Sequence, residues 1–419
     1  MGEVTRHGER RQPRSSAALV VDRNYGPFFW GNIVSNSGNW LFNVTAAIVV
    51  FQLSGSAFLT GLVSVGQFLP LMVISPLAGS LSDRFDRRAI VLVGQGLAAV
   101  AATVLAVATL VVGLDGLPGA WPVVATALGI GIGQSVTIPA LNSMVPALVP
   151  EEDLEGGVAL TSVTFQIGRA LGPIGAGVLL TTLGAEIAFL LNAVSFFVLI
   201  AAVLFVTVRP TADDGGTDRS VRAGLRFVRR DRTVMLLLLG VMTAGFAGDP
   251  VITLAPALND VLGGADAWPA AMVSGFGVAA VPTAFLAGRF QRRFGNLAVA
   301  RVGMLAMAAG SFGAAVSPTP LAALLAFSVT GAGFVLAVTS FTTVLQRHLP
   351  DAYRGRVMAL WGVAFLGNRP FAAMLDGAAA DLVGPRLAMG IAIAVSIAGA
   401  AIATHISRRS TAGARTQET

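Results

Sequence analysis

The chain contains no cysteine, and none of its 28 basic residues is a lysine. Without cysteine there is neither a disulfide nor a thiolate metal site. The all-arginine usage, with many Ala and Gly, marks a GC-rich coding bias rather than a function. Histidine is scarce too: His7, His348 and His405 form no cluster with metal-ligand spacing. Charge is the third scarcity. Only 12% of the 419 residues are charged, where a soluble domain carries about 25%. Hydrophobic residues make up 54% of the chain, and the mean hydropathy is +0.75. That balance is the composition of a polytopic membrane protein. The net charge of +6 could point to nucleic acid. The arginines instead sit in short segments between apolar runs, where a cytoplasmic bias would put them, so the lipid bilayer is the expected partner and nucleic acid is not.

A spanning helix needs about 20 apolar residues. The pattern predicts an all-α membrane protein with twelve such spans, near 27–51, 58–82, 89–113, 121–147, 157–181, 185–208, 233–258, 267–289, 297–316, 320–346, 356–381 and 385–407. The chain then divides into a polar, basic tail (1–26), a first group of six helices (27–208), a linker (209–232), a second group (233–407) and a tail (408–419). With both termini in the cytoplasm, the outside loops hold only Arg386 while the inside segments hold the other loop arginines, as the positive-inside rule requires. In the linker, Val221, Leu225 and Val228 recur at i, i+4 and i+7 among Arg222, Arg226, Arg229 and Arg230. This reads as an amphipathic helix on the inner leaflet or as a solvated linker.

The two groups look like internal repeats. A shift of 200 residues lays Gly131 and Gly133 on Gly331 and Gly333, Arg169 on Arg369, Gly177 on Gly377 and Gly184 on Gly384. The run Gly129-Ile130-Gly131-Ile132-Gly133 follows no strand and lacks the third spaced glycine, so it reads as helix packing and not as a dinucleotide loop. No nucleophile–base pair or phosphate loop is found. Neither an enzyme nor a cofactor is expected.

Between the second and third spans, residues 83–88 carry five charges. Gly79, Leu81, Asp83, Arg84, Arg87 and Arg88 fit the pattern G-x-L-a-D-R-x-G-R-R, with Asp86 in place of its second glycine. The stretch resembles the loop between helices 2 and 3 of the major facilitator superfamily. In span 5, Gly168, Gly172, Pro173 and Gly177 resemble the exporter motif of that superfamily's drug:proton antiporters, with Ala176 departing from it. The plainer alternative is a small-residue packing face. Residues 121–147 hold no arginine, although well-known drug antiporters carry one in that span. With Phe189-Leu190-Leu191-Asn192-Ala193 and Tyr353-Arg354-Gly355-Arg356-Val357-Met358, the chain resembles the branch that includes enterobactin exporters and macrolide-efflux-like proteins. The resemblance covers essentially the whole chain. It implies two pseudo-symmetric six-helix bundles in the cell membrane, a monomer, and proton-coupled export of a drug, siderophore or secondary metabolite by alternating access. An importer of the same fold, or a non-transporting binding or sensor protein, is the alternative.

Well inside the spans lie the charges of Arg169, Asp249, Arg369 and Asp376, with Asp381 and Glu186 nearer the outer ends. At the bilayer centre such groups cost at least about 2.5–3.5 kcal/mol, so they face a bundle interior and find partners. They are candidates for proton coupling or for holding substrate charge; structural ion pairing is the alternative. Asn32, Asn36, Asn39 and Asn43 share one helical face, expected to line the substrate cavity opposite Gln134 or else to join helices. An apolar, aromatic pocket with neutral amides suits an amphipathic molecule. The cytoplasmic gate is expected at Gly79, Asp83, Arg84, Arg87 and Arg88. Glu151 and Glu152 of the acidic loop 4–5 should pair with those arginines, and Asp83 should latch onto the N-terminus of span 11.

Overall fold

The computed structural model describes residues 14–82, 86–207 and 221–415. Among them there is no strand. α1 (Ser16–Val20) leads into six long helices: α2 (Tyr25–Ser54), α3 (Ala57–Ser82), α4 (Arg87–Val112), α5 (Trp121–Leu148), α6 (Leu154–Thr182) and α7 (Ala185–Phe205). α8 (Val221–Arg230) precedes the second group. That group comprises α9 (Arg232–Ala247), α10 (Pro250–Thr253), α11 (Ala255–Val261), α12 (Trp268–Phe294), α13 (Asn296–Ala315), α14 (Pro320–His348), α15 (Asp351–Leu366), α16 (Arg369–Val383) and α17 (Pro385–Arg415).

Local chemistry sets these boundaries. Asp86 accepts from the Arg88 N–H to cap α4, and Asp231 accepts from Thr233 and Val234 to cap α9; both side chains satisfy helix donors that have no partner of their own. Gly55 ends α2 at φ +64°, a conformation costly for other L-residues. Eleven described helices are long and apolar enough to cross a membrane. The eleventh expected span is missing from that count because it breaks at Gly367-Asn368 into α15 and α16, of 16 and 15 residues. Together the two have the length of a span, so the architecture is consistent with twelve. Span 7 is broken too, at Gly248-Asp249 and again at Leu254. Val93, Val100, Val104, Val107 and Val111 lie exposed on α4, a stripe that in a membrane faces lipid.

Each group has its own apolar core. One centres on Phe42, Phe189 and Phe196, another on Leu237, Phe341 and Leu345. A third cluster joins Leu41, Val44 and Ile48 of α2 to Leu254, Leu258 and Met272 and so forms a seam between the groups. Across that seam α3 packs on α16 and α6 on α12. The expected N-terminal tail is in part docked. Leu19 is fully buried, and Tyr25 Oη donates to the Gly157 carbonyl at 2.9 Å. The linker helix α8 is not a solvated spacer: Phe227 stacks on Tyr353 of α15 with ring centroids 4.3 Å apart, and Val228 is buried.

Candidate functional site

Two of these helix breaks, one in each span, fall at a charged residue followed by proline. Proline removes a backbone donor and disfavours helix in the residue before it, and Asp249-Pro250 and Arg369-Pro370 stand where α10 and α16 begin. The two breaks meet. Arg369 Nε donates to Asp249 Oδ1 at 3.1 Å, with the side chains 8% and 0% exposed. Thr253 Oγ1 donates to Asp249 Oδ2 at 2.7 Å. Asn368 Nδ2 donates to the Met242 carbonyl, so a side-chain amide joins the break to α9. Arg369 Nη1 is buried without a hydrogen-bond partner. The Arg369 guanidinium lies 4.6 Å from the ring centroid of Phe68 and 5.1 Å from that of Trp40, both contributed by the first group. Asp376, two turns further along α16, is fully buried, and neither of its oxygens has a partner.

Arg169, the repeat counterpart of Arg369, lies over the same indole from the other side of the seam. Its guanidinium is 5.7 Å from the Trp40 ring centroid, 4.0 Å from Phe334 and 5.4 Å from Phe365. Each arginine therefore stacks on rings of the opposite group, and Trp40 is shared by both. Such contacts contribute about 0.5–2 kcal/mol each, more where water is excluded.

The asparagine stripe is linked to a different amide from the one expected. Gln67 of α3 accepts from Asn43 Nδ2 at 2.6 Å and donates to Asn39 Oδ1 at 2.9 Å. Asn36 Nδ2 donates to Asn32 Oδ1 at 2.8 Å. Gln134 is buried on α5 but makes no side-chain hydrogen bond with a described residue. Buried amides need partners, and Gln67 supplies them nearly three turns into α3, a role that no sequence spacing announced.

The span 5 glycines are contact points. A Cβ on Gly168 would come 2.6 Å from Asn36 Cβ, and one on Gly172 would come 2.3 Å from Trp40 Cβ, so α6 rides directly on α2. Gly177 faces α12 instead, 2.5 Å from Ser274 Oγ by the same measure. Ser274 Oγ donates to the Pro173 carbonyl at 3.0 Å, across the seam. At the far end of that seam, Asp381 of α16 accepts from Ser56 Oγ (2.6 Å) and from the N–H groups of Ala57 (2.8 Å) and Phe58 (3.1 Å). It caps α3 from the other group.

At the opposite end, Asp83 and Arg84 lie outside the described residues, as do the surroundings of Gly79 and the side chain of Glu151. Arg87 donates to the Ser143 carbonyl and Arg88 to that of Leu204. Glu152 is exposed. Among the described residues, the acid of loop 4–5 seen in an ion pair is Asp153, and its partner is Arg14. Arg14 Nε meets Asp153 Oδ2 at 2.6 Å, its backbone N–H donates to Oδ1 at 2.7 Å, and its Nη1 reaches Asp22 at 2.9 Å. The Arg14 N–H and guanidinium hold the Asp153 carboxyl below its ordinary 3.8. Burial pushes Asp22 upward, but the N–H groups of Tyr25 and Asn24 and the Arg14 guanidinium outweigh it and hold that carboxyl below 3.8 as well.

A sequence model described as transmembrane secretion effector matches residues 20–417. The chain belongs to the transmembrane secretion effector family. The chain is 30% identical over 346 residues to the enterobactin exporter EntS of Escherichia coli O81 (strain ED1a), covering 78% of the chain and 76% of EntS. It is 27% identical over 345 residues to the MFS-type transporter YfiS of Bacillus subtilis (strain 168), covering 77% and 79%. Its fold matches the crystal structure of a bacterial homologue of the human lysosomal transporter Spinster, with TM-score 0.71 at 15% identity over 94% of this chain and 97% of that one. The fold and the relatives are those of major facilitator transporters. The protein is accordingly a multi-pass membrane transporter of small molecules and not an enzyme.

Proposed function

We propose that this protein exports a small amphipathic molecule across the cell membrane by proton antiport, through alternating access of its two helix groups. The observation that carries the reading is the Arg369–Asp249 pair, set between two broken spans with Asp376 unpartnered nearby. Broken spans at mid-membrane are where secondary transporters bind substrate and coupling ions. A proton on Asp249 removes the charge that holds Arg369, and the guanidinium is then free to change its stacking on Phe68 and Trp40 of the other group. A proton event in one half thereby becomes a change in contact between halves. Asp376, on the same helix as Arg369, is a second proton acceptor.

The arginine bias supports cytoplasmic termini. It makes the Asp381–Ser56 end the outer one, so the contacts described there belong to an inward-facing state. The likeness to EntS supports export, and the neutral amide stripe beside Trp40 supports an amphipathic cargo.

The test uses everted vesicles carrying the full-length chain, an imposed proton gradient and a panel of amphipathic fluorescent dyes. Export from the cell appears there as gradient-driven uptake, together with proton release from the acidified lumen. Asp249→Asn should abolish the uptake and leave dye binding within about twofold, because the amide keeps the shape and removes the titration. Dye loss on imposing the gradient would mean import. Normal pumping by Asp249→Asn would remove this carboxylate from the coupling role.

A further inference from the structure

We propose that Arg169 and the rings around it form an anion subsite in the transport path, built for a planar organic acid whose carboxylate meets the guanidinium edge. The inference rests on the transport reading above and adds the charge class of the cargo. The mid-membrane charges are unequally served. Arg369 has Asp249, and Asp249 has Arg369 and Thr253. Arg169 is half-buried and makes no hydrogen bond or ion pair with any described residue. Its contacts are ring faces only: Phe334 at 4.0 Å, Phe365 at 5.4 Å and Trp40 at 5.7 Å.

Ring faces attract the positive charge but accept none of the five N–H donors at the guanidinium edge. A carboxylate fills two of those donors at once in a fork. The surroundings are rigid where this matters. Gly168 packs on Asn36 and Gly172 on Trp40, one residue before and three after Arg169, so the α6 backbone is fixed against α2. From Phe334 the aromatic wall continues to Phe365, with centroids 6.0 Å apart, and on to Trp361, 4.9 Å further and stacked. That wall offers flat apolar faces beside the free donor edge, which suits a planar body carrying an acid. The Arg369–Asp249 pair is neutral as a unit, so an arriving carboxylate compensates a charge that no acid has been seen to pair.

The test is ligand protection of the purified full-length chain against thermal unfolding, with no gradient applied. The probes are 2-naphthoate, its neutral amide 2-naphthamide, and cyclohexanecarboxylate. The acid should bind about 10- to 100-fold more tightly than the amide, the range for a hydrogen bond to a charged group. Arg169→Gln should remove that ratio and leave amide binding in place. Phe334→Leu should weaken acid and amide alike and keep their ratio, which provides a second readout should Arg169→Gln prove poorly folded. Cyclohexanecarboxylate should bind more weakly than 2-naphthoate. Equal binding of acid and amide, a ratio that survives Arg169→Gln, or no protection by 2-naphthoate would each overturn the proposal. Failure of gradient-driven transport with the acid preference intact would instead sink the antiport reading and leave the subsite standing.

Discussion

Asp381 provides a sharp test of how the two groups are held. Its carboxylate accepts three hydrogen bonds at the first turn of α3, from Ser56 Oγ and from the Ala57 and Phe58 N–H groups. A carboxylate at a helix N-terminus contributes about 0.3–1 kcal/mol at an exposed site through the dipole. Asp381→Asn removes the charge and keeps one acceptor oxygen. Adding the weakening of charge-assisted bonds, and discounting for the exposure of Asp381, the loss is about 1–2 kcal/mol. Since the bond joins α3 to α16, the loss falls on the state in which this end is closed, and the open state gains about 5- to 30-fold in population. The assay exploits the absence of native cysteine. Ala57 is 1% exposed beneath this contact, so Ala57→Cys should react slowly with a water-soluble maleimide, at a rate set by the open population. Asp381→Asn in that background should speed alkylation by the same factor. An unchanged rate would show that Asp381 caps α3 without holding the groups together.

Two further predictions follow from the helix contacts and from the docked N-terminal segment. Gly172→Ala places a Cβ 2.3 Å from Trp40 Cβ and 2.8 Å from the Leu41 nitrogen, and should cost about 1–3 kcal/mol. Gly96→Ala meets nothing within 4 Å and should stabilise by up to about 1 kcal/mol. Melting temperatures in detergent that fall equally for both variants would contradict the packing assigned to α6. Asp153 and Asp22 titrate below the ordinary 3.8, so the stability they contribute is whole above that value and is lost as pH falls through the depressed folded values. Docking of α1 should therefore not vary from neutral pH down to about 4. Arg14→Gln should release it at pH 7, read as faster amide hydrogen exchange over residues 15–25. Unchanged protection there would show that burial of Leu19 suffices.

Much of the architecture was legible because a bilayer demands long apolar helices, and an apolar run is visible in sequence. The repeat that lays Arg169 on Arg369 was legible too, and the structure sets both against Trp40. Partnership was not legible. Periodicity placed the asparagines on one face, but their link to Gln67 rather than Gln134 depends on how α3 is rotated, which no single helix encodes. The breaks in spans 7 and 11 carried a signal, Asp249-Pro250 and Arg369-Pro370, that hydropathy averages away. Pairing of loop 4–5 with loop 2–3 was expected from charge alone. Within that loop Asp153 is held by Arg14 through the backbone N–H as well as the side chain, a contact that charge alone does not announce, while Asp83, Arg84 and the Glu151 side chain lie outside the described residues.

The crossed stacking of the two arginines also bears on biogenesis. The first six spans emerge from the ribosome with Arg169 midway along α6 while Phe334 and Phe365 are still unsynthesised. Until those rings arrive, the half-made protein carries an exposed charge worth at least about 2.5–3.5 kcal/mol on insertion scales, with Trp40 alone to cover it. Arg369 enters later onto rings already in place. The second half thus inserts against a waiting template, and the first remains incomplete until it does.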